Sequence, residues 1–338
     1  MSRRVRQQES RYLKGFSLIE LMVALVIGLL ITITIFSAYL GASAASKMAD
    51  AQARMNEDAQ AALLILSQQL KMAGNNPDQA DRVDNADPSL SSRRNPVYGA
   101  TSYPTGSYTT SNFFIRGCDG QFSNITSASS LDKLDCSGGG STLPDAIAIN
   151  YEADRFNTIP TSQATGKFPT DCLGKKLDTI TAVLPTVVGT GTATTTVTYA
   201  VAGNEFHIGS STLLGAPSLY CKGNGAASPA QALVENIEDL QFTYGAIDST
   251  TSSTTATVAG YLRADELAAL TSVANSAMPW SKVLAVRICI LVRSEGQVVP
   301  ANSSARYLNC AGTLETTSAD RRLRQAYFST VVLRNRRL

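Results

Sequence analysis

The sequence is poor in the residues on which most enzymes depend. It contains one histidine, His207, in 338 residues. A Ser-His-Asp triad, a Cys-His pair or a histidine metal site would therefore rest on that single side chain. No Gly-x-x-x-x-Gly-Lys-Ser/Thr motif for phosphate binding is present either. We expect no enzymatic activity and no cofactor, and we expect His207 to be exposed or locally hydrogen-bonded.

Closely spaced cysteine pairs are also absent, which argues against a zinc site or a redox motif. The six cysteines all lie in the last two thirds of the chain, and an even number in an exported region is typical of disulfides in an oxidising compartment. Six cysteines allow many pairings, so the sequence alone cannot decide the connectivity. As a working prediction we pair them in sequence order, as Cys118 with Cys136, Cys172 with Cys221, and Cys289 with Cys310.

Charge is nearly missing from one long stretch near the N-terminus. Residues 16–40 contain a single charged side chain, Glu20. About 20 apolar residues in a helix cross the ~30 Å hydrocarbon core, so this stretch is long enough to span a bilayer. A carboxylate is costly in that environment and is strongly favoured only beside a partner charge. Glu20 therefore needs an electrostatic explanation.

The leader before this stretch is basic. Residues 1–15 carry five basic side chains against one acid, Glu9, and without them the 29 basic and 27 acidic residues of the chain fall to 24 and 26. The positive-inside rule predicts a cytoplasmic leader and an exported remainder. The positive charge of the whole chain is therefore an effect of the leader and no argument for a nucleic-acid partner.

These features together resemble a known signal. A basic leader ending in Gly15, then Phe16, then an apolar helix with Glu20 as the fifth residue after the glycine, resembles the class III signal of type IV prepilins and type II secretion pseudopilins. The resemblance implies that a prepilin peptidase cuts between Gly15 and Phe16 and methylates the new amino terminus. It also implies that Glu20 neutralises the amino terminus of a neighbouring subunit in a filament.

Two plainer interpretations of the same segment compete with this one. An ordinary secretory signal has a shorter apolar region followed by a small-residue cleavage site, which residues 41–46 could imitate. A plain transmembrane anchor explains the length of the run. Neither interpretation gives Glu20 a role, and we therefore favour the prepilin signal.

Beyond the apolar run the pattern changes to that of an amphipathic helix. Apolar side chains recur at helical spacing with charged residues between them; they are Met48, Met55, Ala59, Ala62, Leu63, Leu66 and Leu70. Gly74 and Pro77 are stop signals. We predict one unbroken helix over 16–73, although the β-branched residues of 31–36 lower its intrinsic propensity.

The region after the helix is polar at first and rich in strand-forming residues later. Asp78, Asp81, Asp84 and Asp87 recur every third residue, but an EF-hand loop needs ligands at alternate positions, a central glycine and a terminal glutamate. We therefore expect a solvated loop and no metal site.

From residue 145 onward, β-branched and aromatic segments predict strands. Two Thr/Ser tracts, 190–196 and 248–258, predict exposed turns, and Arg263–Ala277 predicts a short helix before Trp280, which anchors the next strand.

The N-terminal signal resembles that of prepilins and pseudopilins alike, whereas segments of the C-terminal part resemble a single family among them. The segments around Ile237, Trp280 with the strand through Cys289, and the Arg-rich end resemble the PilW family of type IV pilus minor pilins. We interpret Val234–Tyr244 as a helical turn that enters a strand. Glu235, Glu238 and Asp239 form an acidic group, and the end of the chain carries a group of arginines, which are Arg321, Arg322, Arg324, Arg334, Arg336 and Arg337. Three alternatives are open for these two groups: both are solvated, they pair within one subunit, or they pair between neighbouring subunits.

The prediction is therefore an α+β, pilin-like chain. It has a leader (1–15), a transmembrane and spine helix (16–73) packed on a largely antiparallel β domain, and that periplasmic domain (74–338). The resemblance implies a minor pilin that primes pilus assembly and lies at the filament tip, with a type II secretion pseudopilin or a tip adhesin as alternatives.

The expected partners follow from this resemblance. They are other minor pilins and the major pilin, the prepilin peptidase, the inner-membrane assembly platform, and membrane lipid before assembly. The expected location is the bacterial inner membrane, with a single pass, and the extracellular pilus after assembly. Direct nucleic-acid binding, through the terminal arginines and Tyr98, Tyr103 and Tyr108, is not expected in a chain whose exported part is nearly neutral.

Overall fold

The computed structural model describes residues 15, 17–76, 114–124, 134–138, 143–163, 166–188, 191–210, 215–225, 229–247, 258–269, 279–301, 303–316 and 320–335. The chain forms two compact units, Met1–Asp50 and Ala51–Leu338. A long N-terminal helix and antiparallel sheets make up the described structure, which confirms the predicted α+β class.

Helix α1 spans Leu18–Met72 without a break, as predicted. The hydroxyl groups of Thr32, Thr34 and Ser37 donate to carbonyl oxygens three residues earlier, at 2.8 to 2.9 Å, so these polar side chains are satisfied within the helix. The helix ends before Gly74, whose φ of +71° is left-handed and whose Cβ, if present, would meet the ring of Phe114. Glycine is therefore required at this stop.

Fourteen strands follow in the described residues. They are β1 (Ile115–Cys118), β2 (Ala146–Ala153), β3 (Thr161–Gln163), β4 (Gly166–Phe168), β5 (Thr179–Val188), β6 (Gly191–Ser210), β7 (Pro217–Gly223), β8 (Gln231–Glu235), β9 (Ile237–Ile247), β10 (Val258–Leu262), β11 (Val283–Arg293), β12 (Arg306–Leu308), β13 (Leu314–Thr316) and β14 (Arg324–Val332). A short helix α2 (Ala264–Ala269) and a 3-10 helix (Pro279–Lys282) lie between β10 and β11.

The strands form two main sheets in which every described pairing is antiparallel. One sheet has the order β1-β2-β6-β7-β8, with β5 also paired to β6, and the other has the order β10-β9-β11-β14. Two hairpins, β3-β4 and β12-β13, complete the described sheet structure. The strands that the sequence predicted around Ala146, Val283 and the C-terminus are confirmed.

The connection between the two sheets corrects one prediction. Residues 234–244 do not contain a helical turn; β8 ends at Glu235, β9 begins at Ile237, and Asn236 between them has a φ of 63°. Asparagine tolerates this left-handed conformation better than most residues. The chain therefore passes from one sheet to the other through a single left-handed residue.

The structure also corrects the prediction of an exposed turn for the Thr-rich tract 190–196. Residues from Gly191 onward belong to β6 and pair with β5, rather than forming an exposed turn. Threonine is β-branched and favours strands, and ladder pairing satisfies its backbone, so polarity alone was a poor guide. The tract 248–257 lies outside the described residues. The predicted helix 263–277 is observed only as α2, and residues 270–278 also lie outside the described residues.

The second half of α1 supplies one wall of the core. The predicted apolar stripe is buried at Met55, Ala59, Ala62, Leu66 and Leu70. It belongs to one hydrophobic cluster together with side chains from both main sheets. Trp280 is buried in the same cluster and meets Tyr244 edge to face, with ring centroids 4.9 Å apart. Trp280 is thus the anchor that the sequence predicted.

A buried carboxyl group ties the two main sheets together. Asp145 precedes β2, and its Oδ2 accepts a hydrogen bond from the Phe242 amide of β9 at 2.7 Å, while its own amide donates to the Leu240 carbonyl at 2.6 Å. Burial raises the pKa of Asp145 to about 8, against the lowering effect of the Phe242 amide. The carboxyl group is therefore largely protonated in the folded protein at neutral pH.

This pKa predicts a pH dependence of stability. Because the folded-state pKa lies above the unfolded value of ~3.9, the stabilisation from Asp145 is complete below about pH 4 and is lost as the pH rises through about 8. We expect Asp145→Asn, which stays neutral, to lose less stability than the wild type between pH 5 and 8. Urea midpoints of the full chain in detergent, followed by Trp280 fluorescence, measure the difference. A difference that does not vary with pH would contradict this assignment.

The buried stripe of α1 predicts a contrast between two leucines two residues apart. Leu66 is fully buried and Leu64 is 59% exposed. Leu66→Ala should cost about 2–5 kcal/mol of unfolding free energy because it leaves a cavity. Leu64→Ala should change it by no more than about 0.5 kcal/mol. Urea unfolding followed by Trp280 fluorescence measures both free energies. Equal losses of unfolding free energy in the two variants would rule out this packing of the helix.

Candidate assembly site

The first half of α1 exposes apolar side chains on all sides. Between residues 18 and 40 its large apolar side chains are 51% to 79% exposed; they are Leu18, Ile19, Leu21, Met22, Val23, Leu25, Val26, Ile27, Leu29, Leu30, Ile31, Ile33, Ile35, Phe36, Tyr39 and Leu40. Among the described residues, α1 is the helix long and apolar enough to cross a membrane. A helix that is apolar all round is stable in lipid or among other helices, not in water.

Glu20 lies in the first turn of this helix. Its Oε2 accepts a hydrogen bond from the Ser17 amide at 3.0 Å, so the carboxylate caps one of the free amides at the helix start. Negative charge is favoured at this end of a helix by the helix dipole. The cap uses one carboxylate oxygen and leaves the other able to accept a bond from a cation. One oxygen of the Glu20 carboxylate is therefore held by the helix itself, and the other is able to bind a positive charge from outside the helix.

The predicted processing residues lie directly before this turn. Gly15 is exposed, with open space around the position that a Cβ would occupy. Phe16 lies outside the described residues. Cleavage after Gly15 would leave Phe16 as the new amino terminus, four residues before Glu20 and next to the amide that Glu20 caps. Processing at this position remains a prediction.

The second half of α1 is held by the C-terminal part of the chain. The Tyr327 hydroxyl donates to Asn56 Oδ1 at 2.6 Å, and Asn335 donates to the Lys71 carbonyl at 2.7 Å. Arg54 also pairs with Glu295 at 3.0 Å, but both side chains are 70% exposed. An exposed ion pair of this kind contributes little to stability. The buried stripe and the two hydrogen bonds therefore fix this part of the helix in the domain.

The predicted acidic and basic groups meet within one subunit. Arg324 binds Glu238 through Nε at 2.6 Å and Nη2 at 2.9 Å, and it binds Asp320 at 2.6 Å, with the Arg324 side chain only 8% exposed. Arg293 adds a longer contact of 3.5 Å to Glu238. The hydrogen bonds that Arg324 donates to Asp320 and Glu238 raise its pKa further above its ordinary value. This cluster joins β9, β11 and β14.

Two more terminal arginines are also used within the domain. Arg321 donates to the Val299 carbonyl at 2.8 Å, and Arg322 donates to the carbonyls of Ser294, at 2.8 Å, and Glu295. Arg334 is exposed, while Arg336 and Arg337 lie outside the described residues. Three of the six arginines are therefore committed to internal partners. This arrangement does not favour a phosphate-binding surface at the C-terminus.

Three disulfides form in sequence order, as predicted. Cys118 pairs with Cys136, Cys172 with Cys221, and Cys289 with Cys310, with Cα separations of 5.5, 6.6 and 5.7 Å. These distances are ordinary for disulfides. The last pair joins β11 to the turn of the β12-β13 hairpin, as expected for a link between strand segments near the end of the chain.

His207 is not in the exposed position that was one of the two expected for it. It is half-buried on β6 and stacks on Tyr220 of β7 with ring centroids 5.8 Å apart, and its Nδ1 has no hydrogen-bond partner in the described structure. Burial lowers its pKa, so the ring is held neutral. The cause of the error is strand pairing, which places His207 and Tyr220 directly opposite each other.

Within the described part of the chain, no group of three His, Cys, Asp or Glu side chains is arranged to hold a metal ion. The aspartates between 78 and 87 and the tyrosines at 98, 103 and 108 lie outside that part.

Two family models match the chain. Residues 199–335 match the family described as type IV pilus-assembly protein W, PilW, and residues 11–37 match the prokaryotic N-terminal methylation motif. The first range includes the Arg324–Glu238 cluster, and the second includes Gly15, Phe16 and Glu20. No curated protein and no solved structure matches the chain. The two matches cover the C-terminal strands and the prepilin signal on which the sequence resemblance rests.

The buried arginine cluster predicts a large effect of one substitution. Arg324→Ala should cost about 3–5 kcal/mol of unfolding free energy, because it removes the buried guanidinium that binds both the Glu238 and the Asp320 carboxylates. Arg54→Ala removes the exposed pair with Glu295 and should cost no more than about 1 kcal/mol. Urea unfolding of the two variants tests the contrast. If Arg324→Ala were as mild as Arg54→Ala, the cluster would not be a structural element.

Proposed function

We propose that this chain is a minor pilin of a type IV pilus that primes pilus assembly together with other minor pilins. The match to the PilW family model and the match to the prepilin methylation motif support a type IV pilus-related pilin. Its position in the filament would be the tip. The observation that carries the proposal is the exposed apolar half of α1 with its one carboxylate, joined in one chain to a PilW domain. The pilin-family matches point to a structural, non-enzymatic protein.

The first step of the proposed mechanism is processing in the membrane. The prepilin motif implies processing by prepilin peptidase, and we propose that the peptidase cuts between Gly15 and Phe16 and methylates the new amino terminus. The basic leader favours a cytoplasmic side for the cut and a periplasmic side for the β domain. Before assembly, lipid covers the apolar half of α1.

The second step is bundling of these helices with those of neighbouring subunits. In a helix bundle of low dielectric, an amino terminus and a carboxylate each need a partner charge. We propose that the carboxylate of Glu20 in one subunit forms an ion pair with the methylated amino terminus of the next subunit. The hydrogen bond from the Ser17 amide holds this carboxylate in place. The partners are other minor pilins, the major pilin and the inner-membrane assembly platform.

The proposed tip position rests on the size of the exported part. The unit Ala51–Leu338 contains two main sheets, two further hairpins and three disulfides in its described residues. A subunit at the tip does not have to repeat along the shaft, so it can carry such additions without disturbing helical packing.

Replacing Glu20 tests the assembly mechanism. We expect Glu20→Ala to give a processed, membrane-held protein that is absent from sheared pili, because the partner charge is lost in the helix bundle. Glu57→Ala, on the same helix but on an exposed face, is the matched control and should assemble normally. Immunoblots of membranes and of sheared pili measure both steps, and normal incorporation of Glu20→Ala would contradict the proposed role.

Deletion of the chain separates the pilus role from its alternatives. Loss of surface pili and of twitching motility is the expected result. Loss of secreted hydrolases with pili intact would instead identify a type II secretion pseudopilin. Loss of adhesion with normal piliation would identify a tip adhesin.

A further inference from the structure

Among the described residues of the unit Ala51–Leu338, the most exposed large apolar side chains lie on one short loop. Phe156 is 82% exposed and Ile159 is 85% exposed, and both belong to the loop 154–160 between β2 and β3. This loop lies outside both ranges matched by family models, so neither match accounts for it. Two exposed side chains of this size on a turn of seven residues form a small apolar surface.

Hydrogen bonds hold the backbone of this loop. Asp154 Oδ1 accepts from the amides of Phe156 and Asn157 at 2.7 and 2.8 Å, and Asn157 Oδ1 accepts from the Asp154 amide at 2.7 Å. The Thr158 hydroxyl donates to the Asp154 carbonyl at 2.7 Å. The two apolar side chains are therefore presented on an ordered turn, and docking them orders little additional chain.

A second segment braces the loop from the side. The Thr170 hydroxyl donates to the Ile159 carbonyl at 2.6 Å, and the Thr170 amide donates to the Thr158 hydroxyl at 3.1 Å. The Cys172–Cys221 disulfide follows two residues later and ties this segment to β7. The exposed loop is thus connected to the main sheet by covalent and hydrogen bonds.

The charges beside the apolar pair are mainly basic. The exposed Arg155 guanidinium lies over the Phe156 ring at 4.7 Å, and Lys167 is exposed on β4. The carboxylate of Asp154 is engaged by loop amides, and Asp171 is buried and accepts from the amides of Leu173, Lys175 and Gly225. Asp178 is the exposed acid of this region.

We propose that the loop 154–160 is a docking element whose Phe156 and Ile159 enter an apolar pocket with an acidic rim on a neighbouring pilin-like subunit. Full burial of each side chain contributes about 1.5–3 kcal/mol, and an acidic rim complements Arg155 and Lys167. A protein pocket fits better than an anionic membrane, because lipid-binding surfaces carry about 4–8 clustered cations. The identity of the partner as a subunit rests on the proposed function.

Site-specific photo-crosslinking in living cells tests the proposal. Phe156 is replaced by p-benzoylphenylalanine in the full chain, and Gly296, exposed with open space around its Cβ position, is replaced in the same way as the control. We expect an adduct from position 156, with a partner that mass spectrometry identifies as a protein carrying its own prepilin helix. Position 296 should give no such adduct.

Second substitutions test the chemistry of the contact. Arg155→Glu should lower the adduct yield at least about fivefold because it repels an acidic rim, while Arg155→Lys should retain most of it. Ile159→Ser should also lower the yield. Positions 155, 156 and 159 are exposed, and unchanged unfolding midpoints will show that the domain remains folded. A yield that does not respond to Arg155→Glu would overturn the proposed acidic rim.

The remaining outcomes separate this proposal from the proposed function. An adduct with lipid, with a protein that has no prepilin helix, or with nothing would overturn the docking element, even if deletion of the chain still abolishes pili. An adduct with a pilin-like subunit, in cells where deletion leaves pili and twitching intact, would support the docking element and contradict the role in the pilus.

Discussion

An apolar helix that carries one carboxylate is the constraint on which the rest of this molecule depends. The first half of α1 exposes its apolar surface on all sides. Lipid or other helices can cover that surface, and a neighbouring positive charge would stabilise the carboxylate of Glu20 at low dielectric. Its hydrogen bond to the Ser17 amide holds the carboxylate at the helix start. The proposed role in assembly rests on this surface and on its one carboxylate.

The second half of the same helix is part of the folded domain. Its apolar stripe is one wall of the core, and Tyr327 and Asn335 bind it from the C-terminal part of the chain. The Arg324 cluster holds β9, β11 and β14 together beside this wall. Three of the six terminal arginines, together with Glu238, thus stabilise the subunit itself. For contacts with neighbours we propose the loop 154–160.

Much of the fold could be predicted because its strongest signals are local or periodic. Helical spacing identified the buried stripe from Met55 to Leu70, and β-branched runs identified β2, β11 and β14. The short strands β3, β4, β12 and β13 have three residues each, too few for alternation to be visible. The predictions for the Thr tract in β6 and for Asn236 failed for another reason. The tract pairs with the preceding strand β5, and its polarity concealed the strand preference of threonine. The left-handed conformation of Asn236 lies where the chain passes from one sheet to the other, and no local pattern announces it. The stacking of His207 on Tyr220 and the bracing of Ile159 by Thr170 likewise depend on register, which no single-strand pattern contains.

The central claim is that this chain assembles through its N-terminal helix with other pilin-like subunits of a type IV pilus. The most direct measurement is purification of the full chain after crosslinking in intact membranes, followed by identification of its neighbours by mass spectrometry. The account predicts other minor pilins, the major pilin and proteins of the pilus assembly platform. Recovery of type II secretion components in their place would contradict it.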